Sequence, residues 1–214
     1  MRVAAATSSG KGAIALGMAA LWAVGAWLSH PLGIWPAVGG TALLLGITAV
    51  FLQGPEIRAA LGLDPRALSI GFAAGAFMAA ATYLLFPPVT RAAPELLAGV
   101  VRLYVDFGHL GPAALFVALP IVVACEEIVW RGVIYGALVD RVPWPLAVIA
   151  GTALYAIAHA PIGSTALVLA CLGAGICWNT LRYETGSLTA VFVAHMVWDA
   201  ALLVFWPLVG TSIE

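Results

Sequence analysis

Six ionisable side chains stand in long apolar stretches of this sequence: Glu126, Glu127, Arg131, His159, His195 and Asp199. An ionisable group inside a membrane span is costly unless it has a partner or a task. Helical spacing groups several of them. Glu127 and Arg131 are i,i+4 neighbours, as are His195 and Asp199, so each pair shares a helix face. Glu126 is turned about 100° from Glu127, which lets the two carboxylates serve different partners. Glu127–Arg131 reads as a structural ion pair, leaving Glu126 to face a cavity. One carboxylate and two imidazoles around water can hydrolyse a peptide bond, which needs a base, hydrogen-bond donors for the oxyanion and an acid for the leaving amine. In that chemistry Glu126 is the base, and His159 shares the water or shuttles the proton. His195, oriented by Asp199, donates towards the oxyanion.

The elements that must position these groups follow from composition. The chain has 214 residues, 63% of them hydrophobic and 9% charged, with nine Lys+Arg, ten Asp+Glu and a net charge of −1. Soluble domains carry about 25% charged residues, so these values exclude a soluble enzyme, a disordered tail and a basic nucleic-acid binder. Apolar windows fall near 12–29, 33–53, 67–87, 112–139, 144–160, 162–181 and 187–209. Each approaches the roughly 20 residues a transmembrane helix needs. The expected fold is all-α, a polytopic bundle of about seven transmembrane helices around a polar intramembrane cavity. Residues 1–214 read as one integral membrane domain, with the first window a retained span. Residues 54–66 and 88–111 read as longer connections, the second containing an amphipathic interfacial helix. Cys125, Cys171 and Cys177 have no paired spacing and give neither a disulfide framework nor a zinc signature. Of the eight tryptophans, Trp35, Trp144 and Trp206 suit an interface belt, while Trp130 and Trp198 are placed to wall the pocket.

Lysine and arginine counts orient the bundle. With the N-terminus cytoplasmic, Arg2, Lys11, Arg58, Arg66, Arg141 and Arg182 collect inside, and Arg91 and Arg102 outside. Depth poses a difficulty. Counted from the cytoplasmic ends, Glu126 and Asp199 lie about 12–14 residues deep, His195 about eight and His159 about sixteen, a spread of roughly 12 Å at 1.5 Å per residue. Tilted spans, a bend near Pro120 or an earlier start to the fifth span would each reconcile these depths.

Three motifs in order resemble one family. Cys125-Glu126-Glu127-Ile128-Val129-Trp130-Arg131-Gly132 carries the EExxxR signature of the CPBP family of CAAX proteases and bacteriocin-processing enzymes, also called Abi. Tyr155-Ala156-Ile157-Ala158-His159 is similar to its FxxxH motif, and His195-Met196-Val197-Trp198-Asp199 to its HxxxN motif. The stretch from Asn179 to Leu188 also resembles the family, and the likeness covers about 112–205. It implies a glutamic intramembrane endopeptidase related to the type II CAAX prenyl endopeptidases. Glu126 and His159 then activate water, and His195 and Asp199 form the oxyanion site, with Glu127, Arg131 and Tyr155 supporting them. Two residues depart from the pattern. Tyr155 replaces Phe and brings a hydroxyl that needs a partner. Asp199 replaces Asn, and an ionised Asp cannot donate to an oxyanion, so it is protonated or orients His195.

The expected activity is hydrolysis of a peptide bond in a membrane-tethered or C-terminally hydrophobic protein, by CAAX-type or C-terminal sorting-signal processing. The partners are membrane lipid and a protein or peptide with an apolar or lipidated C-terminal segment, not nucleic acid. No cofactor or metal is called for, and the expected location is the bacterial inner membrane. Two alternatives remain at this stage. One is a non-catalytic membrane protein for bacteriocin immunity, transport or scaffolding. The other is a metal-dependent membrane protease, since Glu126, His159, His195 and Asp199 are acceptable zinc ligands by type, although no HExxH pair is present.

Overall fold

The computed structural model describes residues 8–209. Arg2, counted in the orientation argument, lies outside them. Among the described residues every regular element is helical, because a bilayer leaves the backbone no partner but itself. The elements are α1 (Ser8–Leu32), α2 (Gly40–Ala60) after a π-helical turn at Trp35–Gly39, α3 (Pro65–Ala92), α4 (Pro94–Gly108), α5 (Pro112–Glu127), α6 (Tyr135–Val139), α7 (Trp144–His159), α8 (Thr165–Thr185) and α9 (Leu188–Asp199). A π-helical segment, Ile128–Ile134, joins α5 to α6 as one continuous span, and a second, Ala200–Phe205, extends α9. Among the described residues, seven helical segments are long and apolar enough to cross a membrane. Phe51, Phe77, Leu84 and Phe116 point outward from them, between 72% and 79% exposed. An outer surface of this kind is at home in hydrocarbon. The chain is an integral, multi-pass membrane protein.

The boundaries differ from the sequence expectation in two places. α2 runs through Pro55 to Ala60, bending at Gln53 (φ −131°), so the expected connection over 54–66 shrinks to a few residues. α3 likewise runs through Pro87 and Pro88 to Ala92. The Thr90 hydroxyl and the Arg91 guanidinium donate to the Phe86 and Pro87 carbonyls there. These side chains bond back into the last turn of α3, while the carbonyls freed by the two prolines are those of Tyr83 and Leu84. α4 is a helix within the expected connection over 88–111 and has no fully buried residue.

Small residues set the helix spacing. At Gly75 an added Cβ would stand 2.5 Å from the Ala194 carbonyl oxygen and 2.8 Å from Val197 Cβ. Gly71 meets the Ala190 carbonyl in the same way, so α3 and α9 pack backbone to backbone. Gly46 admits Cys125 between α2 and α5. Ser164 and Ser187 cap the starts of α8 and α9 by accepting from Leu167 N and Ala190 N.

The apparent spread of depths disappears because the helix ends are not level. Leu188, the first residue of α9, is 1% exposed and packs against Gly132, several residues inside the end of the α5–α6 span. α9 therefore begins deep in the bundle, and His195 reaches the level of Glu127. The backbone irregularity in the α5–α6 span lies at Ile128–Ile134, not at Pro120, which sits within α5.

Candidate active site

Glu126 and Glu127 are the last two residues of α5, and their side chains diverge as the helical rotation requires. Glu126 Oε1 accepts the Tyr155 hydroxyl at 2.6 Å and lies 3.7 Å from His159 Nε2. The added hydroxyl of Tyr155 thus has its partner. Glu127 Oε1 takes the Arg131 guanidinium at 3.1 Å, as expected. The same oxygen lies 2.7 Å from His195 Nδ1, a contact that links α5 to α9 and that helical spacing does not show.

The hydrogen bonds of His159 fix its tautomer. Nδ1 is 2.7 Å from the Tyr155 carbonyl oxygen, which only accepts, so Nδ1 carries the hydrogen. Trp22 Nε1 lies 3.0 Å from Nε2 and can only donate, so Nε2 offers its lone pair. His159 is therefore neutral here, with both nitrogens engaged. Trp22, Trp130 and Tyr155 surround its ring, with centroids 5.5, 5.9 and 4.4 Å away.

His195 faces a carboxylate at each nitrogen: Glu127 at Nδ1, and Asp199 Oδ2 at 3.3 Å from Nε2. Its ring stacks on Trp178 with centroids 4.0 Å apart and planes 25° from parallel. Arg131 is 1% exposed, with Cζ 4.4 Å from the Tyr155 ring centroid and 5.0 Å from that of Trp178. Its Nε and Nη2 have no hydrogen-bond partner, so the two aromatic faces take the place of further acceptors.

A cavity of about 310 Å³ ends at these groups; Glu126, Tyr155, His159, His195 and Asp199 all line it. It differs from the expected polar cavity. Most of its wall is apolar, from Trp35, Phe86, Leu103, Leu119 and Leu202 among others, and the lining carboxylates and imidazoles are Glu126, His159, His195 and Asp199. The α4 helix forms part of its outer wall, anchored by the Tyr104 hydroxyl donating to the Leu202 carbonyl at 2.7 Å. Burial holds the Tyr104 phenol above its ordinary range, so it stays a donor.

The structure thus gathers every residue singled out from the sequence: Glu126, His159, His195, Asp199 and Tyr155 on the cavity, Glu127 and Arg131 behind them. It also adds Trp22 and Trp178, which sequence reasoning missed. No spacing rule marks a tryptophan on another helix as a histidine's donor or stacking platform. Trp198 lines the cavity as expected, while Trp130 lies behind Tyr155 and His159 rather than on the wall. Cys125 points into the α2 contact at Gly46. Among the described residues no group of three or more His, Cys, Asp and Glu side chains is placed to hold a metal ion.

Residues 108–201 match the model of one protein family, the type II CAAX prenyl endopeptidase Rce1-like family. The match spans all three motifs and bears out the resemblance read from them; the family is one of proteases. Neither a curated protein nor a solved structure matches the chain.

Proposed function

We propose, taking the family match over 108–201 as the premise, that this protein is an intramembrane endopeptidase using a glutamate-activated water. Its substrate is a membrane-tethered or C-terminally hydrophobic protein, handled by CAAX-type or sorting-signal processing. The chain acts as a single protease domain in a bacterial inner membrane, with its N-terminus cytoplasmic. The observation that carries the reading is the approach of Glu126 to His159, 3.7 Å apart at the closed end of an apolar cavity. At that separation one water can donate to the Glu126 carboxylate and, once the Trp22 indole withdraws, to His159 Nε2 as well.

The steps follow from the hydrogen bonds. Tyr155 occupies Glu126 Oε1, which leaves Oε2 to take a proton from water. The water oxygen forms the new C–O bond, and the carbonyl electron pair moves onto oxygen. His195 Nε2–H meets that oxyanion, because its 3.3 Å contact with Asp199 is the looser of its two and faces the cavity. Glu127 holds the other nitrogen, so the ring keeps its aim. Collapse breaks the C–N bond, and protonated Glu126 gives its proton to the leaving amine. Asp199 orients His195 rather than donating to substrate. With its Nε2 lone pair held by Trp22, His159 takes a share of the water only when that indole withdraws.

The test is Glu126→Gln in the protein's own cell. C-terminal processing of membrane proteins should fall by a factor of at least about 10² if Glu126 is the general base, while the purified variant keeps its helical signal in detergent. Wild-type processing by a folded Glu126→Gln protein would overturn the proposal.

A further inference from the structure

The two faces of the bundle carry different charge, and the cavity belongs to the poorer one. Lys11 marks the first face, with its ammonium 3.4 Å from Glu56 and 3.8 Å from Asp140. The Arg141 side chain lies against Gly12 on the same face. Three contacts mark the second: His30 Nε2 at 2.8 Å from the Pro161 carbonyl, Trp35 Nε1 donating to the Phe107 carbonyl at 2.9 Å, and Tyr104 on Leu202. Following the helices between these markers puts Lys11, Arg58, Arg66, Arg141 and Arg182 at the first face and only Arg91 and Arg102 at the second.

The cavity runs from the second face inward. Trp35, Thr90, Leu96, Tyr104, Ile162 and Leu208 line its outer part, all at or near second-face helix ends, and Glu126 lies at its inner part. Towards the first face the site is closed by Trp130, Val133, Ile134, Leu188 and Val191, each no more than 2% exposed. Among the described residues, none of the first face lines the cavity.

Lys- and Arg-rich loops remain cytoplasmic. From this asymmetry we infer that the cavity opens towards the extracytoplasmic leaflet, and that its substrate is the apolar C-terminal anchor of an exported protein rather than a prenylated cytoplasmic protein. The substrate half rests on the peptidase reading above; the direction of opening rests on charge and geometry alone. Glu126 is fourteen residues from Pro112 at the second face, or roughly 20 Å along the helix. About six residues of extended chain cover that distance. The bond cut therefore lies within about six residues of the anchor's outer end. The apolar wall accepts those residues if they carry no charge.

Two measurements test this, and they fail separately. Gly62 and Gly111 are exposed, lie at opposite faces and have open space around an added Cβ. Each is replaced by cysteine in the full chain and treated, in intact spheroplasts, with a membrane-impermeant sulfonated methanethiosulfonate. Labelling above that of the unsubstituted protein should appear at once for Gly111→Cys and only after lysis for Gly62→Cys. The reverse pattern overturns the direction of opening whatever the enzyme does. The second measurement compares membrane proteomes of cells carrying the wild-type protein or Glu126→Gln. Proteins that lose C-terminal anchors only with the wild type should bear export signals. Glu126-dependent cleavage confined to cytoplasmic proteins overturns the substrate class and leaves the peptidase reading standing. The absence of any Glu126-dependent cleavage overturns the peptidase reading, while the labelling still decides the opening.

Discussion

Tyr155 donates its phenolic hydrogen to Glu126 across 2.6 Å and so ties α7 to α5 at the inner end of the cavity. The bond reserves one carboxylate oxygen and leaves the other to act. Tyr155→Phe removes the donor without changing the ring that packs on Trp130 and His159. A hydrogen bond to a charged group contributes about 1.5–3 kcal/mol, so kcat should fall by roughly 10- to 100-fold with KM nearly unchanged. An unaltered kcat would show that the hydroxyl has no part in aiming Glu126.

Trp22 lies on α1, far in sequence from the matched segment, yet it holds the lone pair of His159. Trp22→Phe leaves that nitrogen without its donor and opens space at a fully buried position. Stability should fall by about 1–3 kcal/mol, measured by thermal unfolding in detergent. The cleavage rate per folded molecule should not fall, because Tyr155 still fixes the His159 tautomer through Nδ1. A tenfold loss of rate would mean that the indole positions the ring for catalysis.

Glu127 serves Arg131 and His195 with one oxygen. Glu127→Ala strands a buried guanidinium and should cost about 3–5 kcal/mol. Glu127→Gln keeps the shape and an acceptor, so it should fold more stably than the alanine variant while lowering kcat. Equal melting temperatures for the two variants would contradict the buried-pair account.

Asp199→Asn introduces the residue of the family pattern at the partner of His195 Nε2. Its amide oxygen can still accept from the ring, so activity should stay within about tenfold, which corresponds to about 1.4 kcal/mol in the barrier. Asp199→Ala, which cannot accept, should lose more. The two rates, measured on the same substrate, separate orientation from bulk.

The parts of this site that a single helix can express were legible in the sequence. Glu127–Arg131 and His195–Asp199 are spaced four residues apart, and the differing directions of Glu126 and Glu127 follow from helical rotation alone. Contacts between helices leave no such period. The pairing of Glu127 with His195, the indole of Trp22 on His159 and the stacking of Trp178 on His195 depend on how deep each helix begins, and Leu188 starts far inside the bundle. Hydropathy windows found the seven spans. They stopped short at Pro55 and at Pro87–Pro88, where the helices continue through proline.

The Gly71–Gly75 groove carries a consequence for modularity. It seats α9, the helix of His195 and Asp199, directly on the backbone of α3, which precedes the matched segment. The motif-bearing half is therefore not a portable cassette. Grafted onto another set of leading helices, it keeps every signature residue but loses the surface that sets the height of its own histidine. An exchange of α3 in this protein is constrained to carry α9 with it.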